Sequence, residues 1–187
     1  VTGATENYNG TSWTEVADLA TARGGGLVGV GTSSSSLAAG GSTTANVAVT
    51  EEWTTTPAAD FTKQNLGQVY YNSTSNAYKV TEKSVPGGAW TSSANVNTAR
   101  GWGAQGQVGN PTAALLVGGR SASPASIYLN TESWNGSAWT EVNDLNTARH
   151  AMGGAGTQTS ALAAGGSPVP LGASVETWDG TSWTETT

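Results

Sequence analysis

Cysteine is absent from this 187-residue chain, and histidine, methionine and phenylalanine each occur once. Without thiols the protein can form neither disulfides nor thiolate metal sites. No Ser-x-x-Lys or Gly-x-Ser-x-Gly pattern offers the single histidine, His150, a nucleophile to activate, and no Asp-rich calcium loop is present. Cofactors and metals are therefore not expected. Positive charge is scarce as well: 7 Lys and Arg stand against 13 Asp and Glu, for a net charge of -6. That balance leaves no basic field to hold a phosphate backbone, which argues against nucleic-acid binding. No apolar run approaches the roughly 20 residues of a membrane-spanning helix, so membrane insertion is not expected. What the chain has instead is 26 glycines and only 11% charged residues, a composition suited to short strands and many turns.

Three copies of one phrase run through it. ENYNGTSWTEVADLATAR spans residues 6–23, ESWNGSAWTEVNDLNTAR spans 132–149, and a final ETWDGTSWTET begins at Glu176; a worn copy, GGAWTSSANVNTAR, ends at Arg100. After each Thr-Ala-Arg comes a glycine-rich stretch that closes on a double glycine, at Gly41, Gly119 and Gly166. A period in this range marks a propeller or solenoid. In NYNGTSW, SWNGSAW and TWDGTSW an aromatic and a tryptophan flank Asn-Gly or Asp-Gly, dipeptides that supply two positive-φ positions to a tight hairpin turn. Tyr8 should face Trp13, Trp134 should face Trp139, and Trp178 should face Trp183.

Residues 24–31, 101–109 and 150–156 read as glycine-rich first strands. Short apolar second strands follow at 36–39, 114–117 and 161–164, stopped by the double glycine, and third strands at 47–53, 127–134 and 174–178. Glycine weakens a strand unless another backbone must come close, which fits an innermost strand crowded at an axis. Four strands per unit is the content of a propeller blade. The expected fold is thus all-β, a single propeller segment over residues 1–187. It opens with the last two strands of one blade and adds three complete blades, about three and a half in all, so the ring is incomplete in this chain. Further chain, or a homo-oligomer, is expected to bury the open faces. The start at Val1 instead of Met fits a processed product or a piece of a longer protein.

One blade departs from the pattern. The hairpin aromatic and tryptophan lie five positions apart in three copies, but thirty-seven apart from Trp53 to Trp90. Residues 54–88 read as an inserted loop and β-hairpin, GQVYY and AYKVT around the polar turn NSTSN. Its Tyr70, Tyr71 and Tyr78 are candidate partner contacts, because aromatics are enriched in interface cores.

Seven of the eight tryptophans occupy the repeated hairpin positions and are assigned to packing between blades: Trp13, Trp53, Trp90, Trp134, Trp139, Trp178 and Trp183. Trp102 is the exception, replacing a small residue in its strand, and is a candidate ligand or partner contact. Arg23, Arg100 and Arg149 close each Thr-Ala-Arg, where a guanidinium's rigid fork would tie loop carbonyls or a neighbouring carboxylate as a structural anchor. Arg120 follows a double glycine, opens the loop 120–126 on the same face as those turns, and ranks above the repeated arginines as a contact residue. Glu15, Glu141 and Glu185 recur at one repeat position and Glu6, Glu52, Glu132 and Glu176 at another, which spreads them round a ring. Paired carboxyls about 5 to 9 Å apart, as glycoside hydrolysis requires, are not an expectation of that arrangement.

Apolar residues before Gly-Gly, an aromatic about a dozen residues on, a tryptophan shortly after and then Thr-Ala-Arg resemble the kelch repeat, a family of four-stranded propeller blades. The aromatic-to-tryptophan interval is shorter here than in the usual kelch pattern. WNGSAWTEVNDLNTAR followed by GGAGTQTSALAAGG is similar to kelch-like arrays in tail-fibre and other virion proteins of marine tailed phages, and LGQVYYNSTSNAYKVT (66–81) looks like a hairpin module of phage structural proteins. The resemblance implies a non-enzymatic structural or adhesion component, on a virion surface or otherwise extracellular. Its partners would be other virion or fibre subunits, or a host-surface glycan or protein. The alternative from another class is a secreted carbohydrate-binding lectin or a carbohydrate-active enzyme domain.

Overall fold

The computed structural model describes residues 1–55, 69–74, 76–80, 88–104, 108–122, 126–168 and 173–186, and these form an all-β structure. Sheet I pairs β1 (Thr5–Tyr8) with β2 (Trp13–Val16). Sheet II contains β3 (Gly24–Gly31), β4 (Ser35–Ser42), β5 (Thr50–Thr55) and β8 (Gly88–Ser93). Sheet III contains β9 (Gly109–Asn110), β10 (Ala113–Arg120), β11 (Ile127–Trp134) and β12 (Trp139–Val142). Sheet IV contains β13 (Gly153–Thr157), β14 (Ser160–Ala164), β15 (Val175–Trp178) and β16 (Trp183–Thr186). All three four-stranded sheets are antiparallel meanders in chain order. β6 (Val69–Asn72) and β7 (Ala77–Val80) pair separately, between β5 and β8 in sequence. The β5–β8 ladder runs from Thr50↔Ser93 to Thr55↔Gly88, so the extra residues enter and leave where two strands are already paired.

The aromatic hairpins set the register. Tyr8↔Trp13, Trp53↔Trp90, Trp134↔Trp139 and Trp178↔Trp183 are directly opposed, with ring centroids between 5.0 and 5.7 Å apart. The turns differ from expectation. Only the glycine takes positive φ, at Gly10, Gly136 and Gly180. The Asn or Asp instead uses its side chain: Asn9 Oδ1 accepts from the amides of Thr11 and Ser12, Asn135 Oδ1 from Ser137 and Ala138, and Asp179 Oδ1 from Thr181 and Ser182. An Asx turn spanning four residues thus replaces the two-residue turn with two positive-φ positions.

Two further expectations are corrected. The double glycine does not stop the second strand in sheets II and III: Gly40-Gly41 and Gly118-Gly119 lie inside β4 and β10, the latter at a register shift between Val117 and Gly119. Both pairs take positive φ, which kinks the strand while pairing continues. Among the described residues the first strands of sheets III and IV begin at Gly109 and Gly153, later than the pattern suggests, and residues 105–107 of the expected sheet III strand lie outside the described residues. Trp102 (φ 61°) and Ala151 (φ 53°), each two residues past the Arg, hold the left-handed conformation and so interrupt extended backbone.

The core lies between consecutive sheets. On β10, Ala114 and Leu116 join Val28, Val30, Leu37, Trp134 and Trp139 in one apolar cluster, while Leu115 and Val117 join Met152, Ala163, Trp178 and Trp183 in another. The period-2 alternation of one strand therefore feeds two cores, and its run of apolar residues is explained by burial on both faces. The last-strand tryptophans cross these interfaces. Trp139 Nε1 donates to Thr50 Oγ1 of the preceding sheet (3.1 Å), Trp183 Nε1 to Thr131 Oγ1 (3.1 Å) and Trp90 Nε1 to Thr5 Oγ1 (3.2 Å).

Trp53, Trp134, Trp139, Trp178 and Trp183 are buried and Trp90 is half-buried. Trp13, expected to be an anchor between blades, is 65% exposed. Its hairpin forms as in the other copies, but no sheet among the described residues stands against its outward face, and burial of a hairpin tryptophan depends on the neighbour.

Trp139→Ala should cost about 3–5 kcal/mol by cavity formation, read from denaturant unfolding. A loss below about 1 kcal/mol would remove this tryptophan from the core.

Candidate functional site

Each four-stranded sheet carries one buried ion pair. Arg23 Nη2 donates to Glu51 Oε1 (3.0 Å), Arg100 Nη1 to Glu132 Oε1, and Arg149 Nη2 to Glu176 Oε1, with all six side chains inaccessible or nearly so. Each guanidinium also donates to carbonyls of its own sheet. Arg23 reaches Val49 (2.6 Å), Gly40 (3.3 Å) and Ala38 (3.4 Å); Arg100 reaches Gly118 (2.9 Å) and Leu116 (3.2 Å); Arg149 reaches Ser174 (2.9 Å) and Gly165 (3.4 Å). The carboxylates in turn accept amides of the loop ahead of the arginine: Ala20 and Thr21 for Glu51, Asn97 and Thr98 for Glu132, and Asn146 for Glu176. Burial pushes the Arg23 guanidinium below its usual range and Glu51 opposes that shift.

The carboxylate in sheet II is Glu51, not the Glu52 that the sequence reading grouped with Glu132 and Glu176. Glu52 lies on the opposite face of β5, half-buried, where it accepts from Ser93 Oγ (2.6 Å). The signal that identifies Glu51 is the Glu-x-aromatic spacing shared by Glu51-x-Trp53, Glu132-x-Trp134 and Glu176-x-Trp178.

The same arginines join neighbouring sheets through their backbone. The Arg100 carbonyl accepts from Gly41 N (3.4 Å) and the Arg149 carbonyl from Gly119 N (2.9 Å). A Cβ at Gly40 or Gly118 would come within 2.6 Å of those carbonyl oxygens, so the double glycine is the bearing against which the next sheet sits.

Against this repeated framework, Trp102 and Arg120 stand apart. The Arg120 guanidinium lies over the Trp102 ring, 5.3 Å from its centroid. Trp102 is 38% exposed; its amide donates to Gly26 O (2.9 Å) and its carbonyl accepts from Ala151 N (2.7 Å), bonds that cross from sheet II to sheet III and on to sheet IV. Gly25 and Gly26 make room for it, since a Cβ on Gly26 would meet the Trp102 amide at 2.2 Å. Arg120 ends β10 and is the one arginine that makes no ion pair among the described residues. Asn46, from the sheet II loop, donates its side-chain amide to the Arg120 carbonyl. His150 completes the cluster: its amide bonds Ser167 O (3.0 Å), and its Nδ1 and the Arg120 Nε are buried without a hydrogen-bond partner among the described residues. Burial, then the charge of Arg120, lowers the pKa of His150. The cluster presents an aromatic face and a cation at one end of the sheets.

The inserted tyrosines are elsewhere. Tyr71 and Tyr78 are opposed across β6 and β7, 52% and 77% exposed, with rings 5.4 Å apart in an edge arrangement. Tyr70 is on β6, but its side chain lies outside the described residues. A groove of about 310 Å³ separates sheet I from sheet II, with Thr5 and Asn7 on one side and Trp53 and Trp90 on the other. Among the described residues no three His, Asp or Glu side chains cluster as a metal site would require.

No protein-family model matches the chain, and no curated protein matches it. A solved structure, titled "Structure of YjhT", is similar in fold, with a TM-score of 0.57 at 14% identity over 94% of this chain. The chain spans 49% of that structure's length. The likeness extends the four-stranded-sheet architecture to a larger protein and carries nothing beyond fold.

Two predictions follow from these contacts. Arg149→Met should cost about 3–5 kcal/mol because it strands Glu176 in the interior, whereas the double variant Arg149→Met/Glu176→Leu should recover most of that loss, as measured by a denaturant double-mutant cycle. Equal losses in the single and double variants would contradict it. His150, with its folded pKa depressed, contributes stability that is present above its unfolded pKa of about 6.5 and is lost as pH falls below it. Urea midpoints between pH 7 and 5 should therefore fall more steeply for the wild type than for His150→Gln; parallel slopes would exclude a titrating His150.

Proposed function

We propose that the chain is a kelch-like β-propeller segment acting as a non-enzymatic display or adhesion component, of a phage tail fibre or virion surface. The observation that carries this reading is the division of labour among charged and aromatic residues. The arginines that close each Thr-Ala-Arg, Arg23, Arg100 and Arg149, are locked with Glu51, Glu132 and Glu176 in buried ion pairs and have no free cation to offer. Those that depart from the repeat, Trp102 and Arg120, meet each other at the surface, and the exposed pair Tyr71 and Tyr78 sits on the hairpin between β5 and β8. A rigid framework presenting variable aromatic and cationic contacts suits recognition by stacking and charge, since Trp, Tyr and Arg are the residues on which binding energy concentrates. In the propeller reading the four-stranded sheets are blades, the glycine-rich first strands line the axis, and residues 54–88 are an insertion on one blade.

A second reading, carbohydrate binding as a lectin, is favoured by the groove between sheets I and II, which Trp53 and Trp90 line together with Thr5 and Asn7. A glycan array run beside a panel of glycoside substrates tests both. Retention without turnover is expected, with Trp102→Gly and Arg120→Gln each weakening it about tenfold or more if the Trp102 cluster is the contact. Retention that survives both substitutions and is lost with Asn7→Ala would move the site to the groove. Turnover that co-purifies with the chain would contradict the non-enzymatic reading.

A further inference from the structure

Each sheet interface repeats the same two bonds, and sheet I shows what is needed to complete a third of its kind. Thr5 faces sheet II, where it accepts the Trp90 indole, so strand alternation and the Tyr8↔Trp13 pairing put Glu6, Tyr8 and Trp13 on the other face of sheet I; Glu6 is exposed, Tyr8 is 48% exposed and Trp13 is 65% exposed. By register Glu6 is the counterpart of Glu51, Glu132 and Glu176, because Glu6↔Glu15 precedes Tyr8↔Trp13 just as Glu132↔Glu141 precedes Trp134↔Trp139. No arginine reaches Glu6 among the described residues, and β1 has a hydrogen-bonded strand on one side only, where β5, β11 and β15 have two. Trp13 is likewise the counterpart of Trp90, Trp139 and Trp183, whose indole N–H groups each donate to a threonine of the preceding sheet.

The chain's own residues identify what can and cannot fill that face. Thr5, Thr50 and Thr131 occupy one register position, opposite Val16, Ser93 and Val142, and each already accepts a tryptophan indole. The fourth residue at that position, opposite Thr186, is Val175, which has no hydroxyl. We propose that the outward face of sheet I docks one further repeat unit of this same kind, whose Thr-Ala-Arg arginine pairs with Glu6 and whose third-strand threonine accepts the Trp13 indole, and that sheet IV, from this chain or from a second copy, is not that unit. The proposal rests on the stacked-repeat part of the reading above, and not on adhesion or on the absence of catalysis. In ring terms it places at least one unit between sheet IV and sheet I.

The test extends the chain with its own repeat. Residues 127–174 contain a third strand with Thr131, a fourth strand, the Arg149 loop and two inner strands, and residue 175 shares the register position of Thr5, so joining 127–174 ahead of Thr5 supplies a continuous unit. Hydroxyl-radical footprinting with peptide mass analysis reads each tryptophan separately. Trp13 oxidation should fall about ninefold on extension, the ratio of its 65% exposure to the 7% of Trp139, while Trp139 and Trp183 stay protected. Thr131→Val or Arg149→Met made in the added copy alone, and Glu6→Gln, should each return Trp13 toward the reactivity of the unextended chain. Unchanged Trp13 reactivity in the extended protein overturns the proposal, as does loss of protection at Trp139, which would mean that the added unit is not accommodated. Concentration-dependent protection of Trp13 in residues 1–187 alone would make a second copy the occupant and overturn it too. None of these outcomes depends on ligand binding or turnover, so the functional reading stands or falls separately.

Discussion

The buried arginine that follows each Thr-Ala is the contact on which the rest of the structure depends, because one residue satisfies three separate demands. Its guanidinium neutralises a glutamate that would otherwise be an isolated charge in the interior, a cost of several kcal/mol. The same fork donates to carbonyls at and just before the double glycine that kinks the second strand, so these buried acceptors are satisfied. In Arg100 and Arg149 the backbone carbonyl then accepts an amide from the double glycine of the preceding sheet. Side chain and backbone of a single residue thus bind two sheets together, and the carboxylate fixes the loop between them. Buried ion pairs are not in general a source of net stability; here their value lies in specifying how one sheet stacks upon the next.

That division between local and neighbour-dependent features decides what could be read from the sequence. The hairpins were legible because their information is local: an aromatic, an Asx turn with glycine, and a tryptophan. The second and third strands were legible from apolar runs and β-branched content. The first strands of sheets III and IV were not, since left-handed backbone at Trp102 and Ala151 is imposed by contact with the adjacent sheets and neither residue type announces it. The Glu51 station was missed by one residue because Glu51 and Glu52 are adjacent, and only the spacing to Trp53 distinguishes the face on which each lies. Trp13 shows the limit most clearly. It has the same local sequence as Trp183, Thr-Ser-Trp-Thr-Glu, yet one is 65% exposed and the other 6%.

The candidate site follows the same logic. Trp102 and Arg120 could each be singled out as departures from a repeat, but their contact is made across eighteen positions of sequence through the Gly101 and Arg120 bridge, and only the fold brings them together. His150, which the sequence left as incidental, is drawn beside them because it replaces the glycine that follows the arginine in the other repeats. A framework whose repeated arginines are each satisfied by a buried glutamate leaves its departures as the places where a cation and an aromatic face can meet another molecule.

Amide hydrogen exchange on Arg100→Met tests most directly whether this one residue binds two sheets. The amides of Asn97 and Thr98, held by Glu132, and of Gly41, held by the Arg100 carbonyl in the preceding sheet, should all lose protection while the amides of β14 and β15 retain theirs. Unchanged protection at Gly41, or protection lost uniformly through all the sheets, would contradict the account.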